Sequence, residues 1–304
     1  LNAKITNIFD NRNRMSLSVY SGEDKMSTKD DSNDDYGTSY SDKDLTKNDF
    51  NWGNFNMALL FEHQFSPKLF ANFNAVYTYN ISKYKSQEDE SSKKEQNILN
   101  ESHYEHEYKS SIRDYGYRMS FDYRPSPHHH IRFGNDFTWH FFHPQTRNLI
   151  SSDTSMGNDT TFMSSKINYP ARECSLYAED EMIINDHWSI NAGVNASLFS
   201  IHGKTFSNFN PRFAIKYQPL TNLSFKASYT SMTQYVHKIS NSFLELPTDY
   251  WVPTTEILHP MNSWQLTAGA YFQPETHWMI SLEGYYKHSN HLLQYASWSG
   301  LEPP

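Results

Sequence analysis

Apolar and polar side chains alternate one by one through much of this chain. In Leu223–Thr230, Leu223, Phe225, Ala227 and Tyr229 fall on one face, and Ser224, Lys226, Ser228 and Thr230 on the other. Successive strand residues point to opposite faces, so the pattern predicts a two-sided β-strand. Trp278–Lys287 repeats it, with Trp278, Ile280, Leu282, Gly284 and Tyr286 opposed to Met279, Ser281, Glu283, Tyr285 and Lys287. Each run is about as long as a tilted strand needs to cross a bilayer, roughly 9–11 residues. The joins Pro219–Asn222 and Pro274–His277 are tight, whereas Met232–Asn262 is long. A transmembrane β-barrel shows this alternation, with short periplasmic turns and long outer loops.

The same grammar runs from the start. Leu1, Ala3 and Ile5 alternate with Asn2, Lys4 and Thr6, and after the turn Asp10–Asn13 the residues Met15, Leu17 and Val19 form an apolar face. Phe55, Met57, Leu59, Phe61 and Phe65 make the next face, interrupted by His63, and Leu69–Tyr79 follows the turn Ser66–Lys68. Tyr117–Tyr123, the turn Pro125–His128 and Ile131–Phe141 form a third pair. Leu176, Ala178, Met182 and Ile184 form a face broken by Asp180, which calls for an interfacial position or a bulge. Trp188, Ile190, Ala192, Val194, Ala196 and Leu198 give the cleanest lipid face. The polar, charged stretches Ser21–Asn51, Asn80–Ser110 and Pro144–Asn168 read as solvated outer loops, and Ile201–Phe209 as a shorter one. The total is about twelve strands, in which short and long joins alternate. A soluble sandwich would not segregate its loops by length in this way.

Composition agrees. Only 37% of residues are hydrophobic, but 16% are aromatic, with 21 Tyr and 20 Phe. That mixture suits a barrel, where every second strand residue meets lipid and aromatics ring the interfaces. No apolar stretch reaches the ~18 residues of a helical span. The single cysteine, Cys174, excludes a disulfide framework and a cysteine-rich zinc site, and its place in a strand suggests inert packing. The net charge of −8 comes without a basic patch, so nothing points to nucleic acid. Leu1 lies inside a strand pattern and the chain ends just after another, so a partial barrel domain over residues 1–304 is expected, without an N-terminal plug and the last strands.

No catalytic constellation stands out: there is no glycine-rich phosphate loop, no HExxH and no GxSxG, and no cofactor is implied. His128–His130 cannot close on one ion, because neighbouring strand residues point apart. The acidic run Asp30, Asp31, Asp34, Asp35 lacks the spacing of an EF-hand loop.

The segment Asn210–Phe272 resembles the barrel of TonB-dependent outer-membrane receptors. It is similar to the nutrient-uptake branch with long outer loops and a Leu-Pro-Thr-Asp-x-Trp-Val-Pro motif, here Leu246, Pro247, Thr248, Asp249, Trp251, Val252 and Pro253 with Tyr250 at the variable place. Asn51–Asn80 and Glu283–Tyr295 resemble the same branch. The resemblance implies an antiparallel transmembrane barrel of about 22 strands, closed by a plug that TonB pulls upon. It further implies the outer membrane of a Gram-negative bacterium, active import of an extracellular nutrient, lipid and TonB as partners, a surface lipoprotein as a further one, and no enzymatic activity. A soluble all-β ligand-binding module and an outer-membrane barrel enzyme are the alternatives. Lipid-side aromatic girdles would favour the receptor, a buried second sheet the module, and a rim Ser–His pair with an acidic or amide partner the enzyme.

Met232–Asn262 is the candidate for ligand capture. Pro247, Pro253 and Pro260 restrict its backbone, so a fixed shape is expected. Aromatics with a polar handle suit both loop packing and ligand stacking, which makes Tyr235, His237, Asn241, Tyr250 and Trp251 the candidate ligand-binding residues.

Overall fold

The computed structural model describes residues 1–35, 40–94, 97–154, 158–163, 168–239 and 250–293. Its strands are β1 (Asn2–Ile8), β2 (Asn13–Asp35), β3 (Tyr40–Ser66), β4 (Leu69–Lys94), β5 (Asn97–Ser126), β6 (His129–Asp153), β7 (Asn158–Met163), β8 (Tyr169–Ile183), β9 (Trp188–Ile201), β10 (Lys204–Leu220), β11 (Leu223–Gln234), β12 (Val236–Ile239), β13 (Tyr250–Pro253), β14 (Met261–Glu275) and β15 (Trp278–Asn290). One antiparallel sheet runs β1-β2-β3-β4-β5-β6-β8-β9-β10-β11-β14-β15, with β7 beside β6, and it is not closed among the described residues. β12 and β13 pair separately.

The short joins are built by local turn chemistry. Asp10 accepts hydrogen bonds from the Arg12 backbone N–H at 2.7 Å and from Asn13 Nδ2 at 2.9 Å. Ser66 and Ser126, each followed by Pro, accept from the N–H two residues on, of Lys68 and His128, both at 3.2 Å. Asn185 Oδ1 accepts from the N–H groups of His187 and Trp188. These side chains close the turn before the strands need to pair, which sets the register.

Register then assembles the apolar positions into rows. Trp188 pairs with Tyr217, Tyr217 with Phe225, Phe225 with Ala270 and Ala270 with Leu282. By the logic of a membrane barrel this face is outward. Rings on it lie close across strands, in one row Phe61–Phe73–Phe121–Phe133 and in another Tyr77–Tyr115, with Trp139 and Phe141 alongside. The facing side is polar and ion-paired. Arg14 binds Glu62, Arg118 binds Asp136, and Arg132 Nη2 lies 2.7 Å from Glu179 Oε1.

Three expected loops are strands. β2 and β3 pair without a shift from Asn13↔His63 to Asp35↔Ser41, so Ser21–Asn51 is paired hairpin wherever it is described. Asn80–Ser110 continues β4 and β5, and Pro144–Asn168 largely continues β6 and adds β7. Charged composition suggested solvation, and the β2 arm from Glu23 to Asp35 is exposed on both faces. The backbone nevertheless pairs, because ladder hydrogen bonds join main-chain groups and can continue an existing hairpin whatever the side chains. Ile201–Phe209 is likewise not a loop. β9 turns into β10 through His202 (φ 48°) and Gly203 (φ 79°). Two positive φ values make a two-residue type I′ turn, which matches the twist of the strands it joins.

Asp180 resolves in favour of the rim. β8 pairs with β6 and β9 without any register shift, so no bulge turns Asp180 away. It lies three residues from the turn end of β8, and His129 Nδ1 is 2.7 Å from its Oδ2. The neighbouring His130 sits on the opposite face, with Nε2 2.6 Å from Asp122 Oδ2.

Candidate functional site

Between β11 and β14, the described residues 235–239 and 250–254 fold back onto the inward face of the sheet. β12 and β13 form a strap with Val236↔Pro253 and Ile239↔Tyr250 in register, and β13 lies against β5 and β6. The seat is apolar. Phe142, Ala171, Phe199 and Ile201 come from β6, β8 and β9, and Tyr235 joins them as one buried cluster flanked by Ile112, Tyr169, Phe206 and Val236. The Tyr235 ring stacks on Phe199 at 5.1 Å and 7°. Its hydroxyl lies 2.8 Å from Ser197 Oγ and accepts from Asn208 Nδ2 at 3.0 Å. A buried tyrosine whose ring is stacked and whose hydroxyl is satisfied is an anchor.

His237 is the second anchor. It is fully buried, with Nε2 2.9 Å from the hydroxyl of Thr254, itself fully buried. Burial pushes its pKa down from the ordinary histidine value, because a charged imidazole would have no water around it. The Thr254 N–H donates to the Tyr235 carbonyl at 2.7 Å, closing the strap at its base.

Of the five candidate ligand-binding residues, the structure thus brings Tyr235 and His237 into the strap's packing. Trp251 is half-exposed on β13, where it pairs with Lys238. Tyr250 is placed by its backbone only, opposite Ile239, and Asn241 lies outside the described residues. Beneath the strap, on the same inward face, His140 is nearly buried with Nδ1 2.8 Å from Asp114 Oδ1, and its Nε2 has Glu173 at 3.5 Å. Sequence reasoning did not single out this cluster, because Asp114, His140 and Glu173 meet only through the registers Asp114↔His140 and Glu173↔Thr138.

A meandering antiparallel sheet with a mainly apolar outward band and an ion-paired inward face is the wall of a membrane β-barrel. The chain belongs to the TonB dependent receptor-like, beta-barrel family, whose profile matches residues 3–300. No curated protein matches it. Among solved structures it is similar to the FrpB iron transporter from Neisseria meningitidis at 10% identity and a TM-score of 0.43, covering 94% of this chain and 51% of that one. A ferric enterobactin receptor mutant from Pseudomonas aeruginosa gives 10% identity and 0.45 over 95% and 53% of the two chains, and the unliganded ferric citrate transporter FecA gives 12% and 0.49 over 95% and 48%. The chain spans about half the length of these proteins. Similarities this distant carry no statement about a ligand.

Proposed function

We propose that residues 1–304 are part of the barrel wall of an outer-membrane receptor that captures a nutrient outside the cell and imports it with TonB-coupled energy. The observation that carries this is the two-sidedness of the sheet within the family's fold: a mainly apolar outward band backed by an inward face lined by ion pairs. A soluble module would leave that band in water, where contiguous apolar surface of this extent is avoided. No enzymatic role is proposed. Lipid, TonB acting through a plug, the extracellular nutrient and a surface lipoprotein are the proposed partners. Tyr235 and His237 would fix the strap, and Trp251 is the candidate contact for the ligand.

The experiment uses the full-length receptor in its own cells. Fractionation is expected to place it in the outer membrane, and import of its nutrient is expected to stop when TonB is removed. Recovery in the soluble fraction, or import that continues without TonB, overturns the reading. Trp251→Ala tests the contact: lost binding at normal surface abundance supports it, and unchanged binding removes Trp251 from the site.

A further inference from the structure

On β3, β4 and β5 the outward face changes at one row, Gly53↔Ile81↔Ser111. Below it the outward positions are apolar or aromatic, among them Phe55 and Met57 on β3 and Tyr77 and Tyr79 on β4. An aromatic belt crosses β4, β5 and β6 just under the row. Tyr77 and Tyr115 lie with ring centres 5.0 Å apart, Tyr115 and Phe141 5.9 Å, and Phe141 and Trp139 4.9 Å. Tyr115 and Trp139 are exposed. Such rings mark the level of a membrane–water interface. From Tyr123 at the turn end of β5 up to Arg113, a strand tilted by roughly 40° climbs about 25 Å, the height of a barrel's apolar band. The belt is therefore the outer one.

Two arginines stand on it. Arg113 on β5 places its guanidinium carbon 5.3 Å from the Tyr79 ring centre, and Arg172 on β8 places its own 5.5 Å from that of Trp139. The registers Tyr79↔Arg113 and Trp139↔Arg172 fix both on the outward face. Both are exposed, and neither has a carboxylate partner among the described residues. The inward arginines Arg14, Arg118 and Arg132 each hold one. A guanidinium laid over a ring keeps its N–H edge open, and that edge fits a phosphate in a two-point grip.

Beyond Ile81↔Ser111 the sign is unchanged. Lys83 and Lys109 face each other directly across β4 and β5, both exposed and without an ion pair among the described residues. Like charges opposite one another on a sheet repel. Elsewhere on the outward face the chain answers lysine with acid: Lys25 with Glu23, Lys47 with Asp49 and Lys85 with Glu105. Of the carboxylates bordering this patch, Glu23 and Glu105 are taken by those lysines, and Glu107 lies one outward position above Lys109. Four cations thus gather without matching acids at the height where a membrane presents its head groups.

We infer that Lys83, Lys109, Arg113 and Arg172 form a docking site on the lipid-facing wall for an anionic glycolipid whose head group carries phosphomonoesters. Arg113 and Arg172 stand two strands apart, about 10 Å across the sheet, which suits a head group with two phosphates. A phosphomonoester brings a charge of about −1.5 to −2 and three acceptor oxygens. The phosphodiester of an ordinary phospholipid brings a single charge, too little for four cations. The acyl chains run down over Tyr117 and Phe137, whose rings stack at 5.8 Å below the belt. The inference rests on the receptor reading and gives its lipid partner a chemistry and a place.

The test uses purified full-length receptor in neutral detergent, titrated by native mass spectrometry with bisphosphorylated lipid A, with lipid A stripped of its phosphates and with phosphatidylglycerol. Bisphosphorylated lipid A is expected to bind about 10-fold more tightly than either, or better. Arg113→Gln combined with Arg172→Gln is expected to weaken it by about 10-fold or more, and adding Lys83→Gln and Lys109→Gln to weaken it further. Lys29→Gln removes the same charge from an ion-paired outward lysine far above the belt, and is expected to leave binding unchanged. Heat-modified migration in gels confirms that each variant is folded. Binding of either comparison lipid as tightly as bisphosphorylated lipid A, or full affinity in the folded double arginine variant, overturns the site. Fractionation with the outer membrane and TonB-dependent import persist in that case and keep the receptor reading, whereas recovery of the receptor in the soluble fraction removes both.

Discussion

The strand below the row Gly53↔Ile81↔Ser111 and the strand above it are the same strand, yet they are held by different forces. Below, rings such as Phe61, Phe73, Phe121 and Phe133 make the outward face a solvent-matched surface for lipid, and ion pairs such as Arg132–Glu179 fill the inward one. Above, lipid is gone and the outward face carries pairs such as Lys29–Asp31 and His103–Asp89. The His103 hydrogen bond holds the Asp89 carboxyl below its usual range. Exposed pairs of this kind contribute little each. The upper hairpins therefore stand on ladder hydrogen bonds between several neighbouring strands and on the stacked rings of their inward face. Side chains alternate between two faces in both halves, but above the row charge falls on both of them, as in Asp42–Asp44 and Glu88–Glu90.

The largest expected effect comes from breaking the lower half. Val194 lies mid-strand on β9, with Ala178 and Pro211 as its register partners. Val194→Arg is expected to cost about 2–4 kcal/mol if the position is at mid-bilayer. Refolding of the full-length receptor into lipid against a urea gradient measures it. A neutral outcome would remove the outward band from the membrane and with it the contrast between the halves.

Next comes the strap, which joins the halves. Tyr235→Phe keeps the stack on Phe199 but strands Ser197 and Asn208, so it is expected to cost about 1–3 kcal/mol locally. Amide hydrogen exchange across Val236–Ile239 is the readout. Unchanged protection would show that the ring, and not the hydroxyl, fixes the strap.

A third effect is smaller and depends on pH. The folded-state pKa of His237 is depressed by burial, so the unfolded strap binds the proton more readily than the folded one. The stabilisation from a neutral His237 is complete above the unfolded value of about 6.5 and is lost as pH falls below it. Exchange protection of β12 and β13 is expected to fall between neutral and mildly acidic pH, and His237→Gln is expected to flatten that profile. An equally steep profile in the variant would assign the titration to another group.

The lower half was legible in the sequence because its signals are local. Apolar alternation names the outward face, and Asp10, Ser66, Ser126 and Asn185 mark turns that close on themselves. The upper half was missed because charge falls on both of its faces, as in Asp42–Asp44 and Glu88–Glu90, so no apolar period marks a strand. Lys85 and Tyr84, or Asp49 and Phe50, look like loop composition until the pairing Phe50↔Tyr84↔Tyr108 places the rings on one face. Of Met232–Asn262, expected to be a loop of fixed shape, both ends belong to β11 and β14, the described middle forms the β12–β13 strap, and Pro247 lies outside the described residues. The burial of Tyr235 and His237 had no local signal. It depends on Phe142, Ala171 and Phe199, which reach the strap only once three other strands are in register.

The smallest expected effect sharpens the comparison within two adjacent residues. Asp49 and Phe50 are neighbours on β3 and therefore point to opposite faces of the upper hairpin. Asp49 makes an exposed ion pair with Lys47, and replacing both by Ala is expected to leave the unfolding midpoint unchanged within error, as exposed pairs usually do. Phe50→Ala removes one ring of the Phe50–Tyr84–Tyr108 stack and is expected to loosen β3 and β4 above Gly53, read as faster proteolysis of the outer hairpins in intact cells. If the Lys47/Asp49 pair variant is the more labile of the two, ion pairing rather than the inward aromatic face holds these hairpins upright, and the two halves differ less than their surfaces suggest.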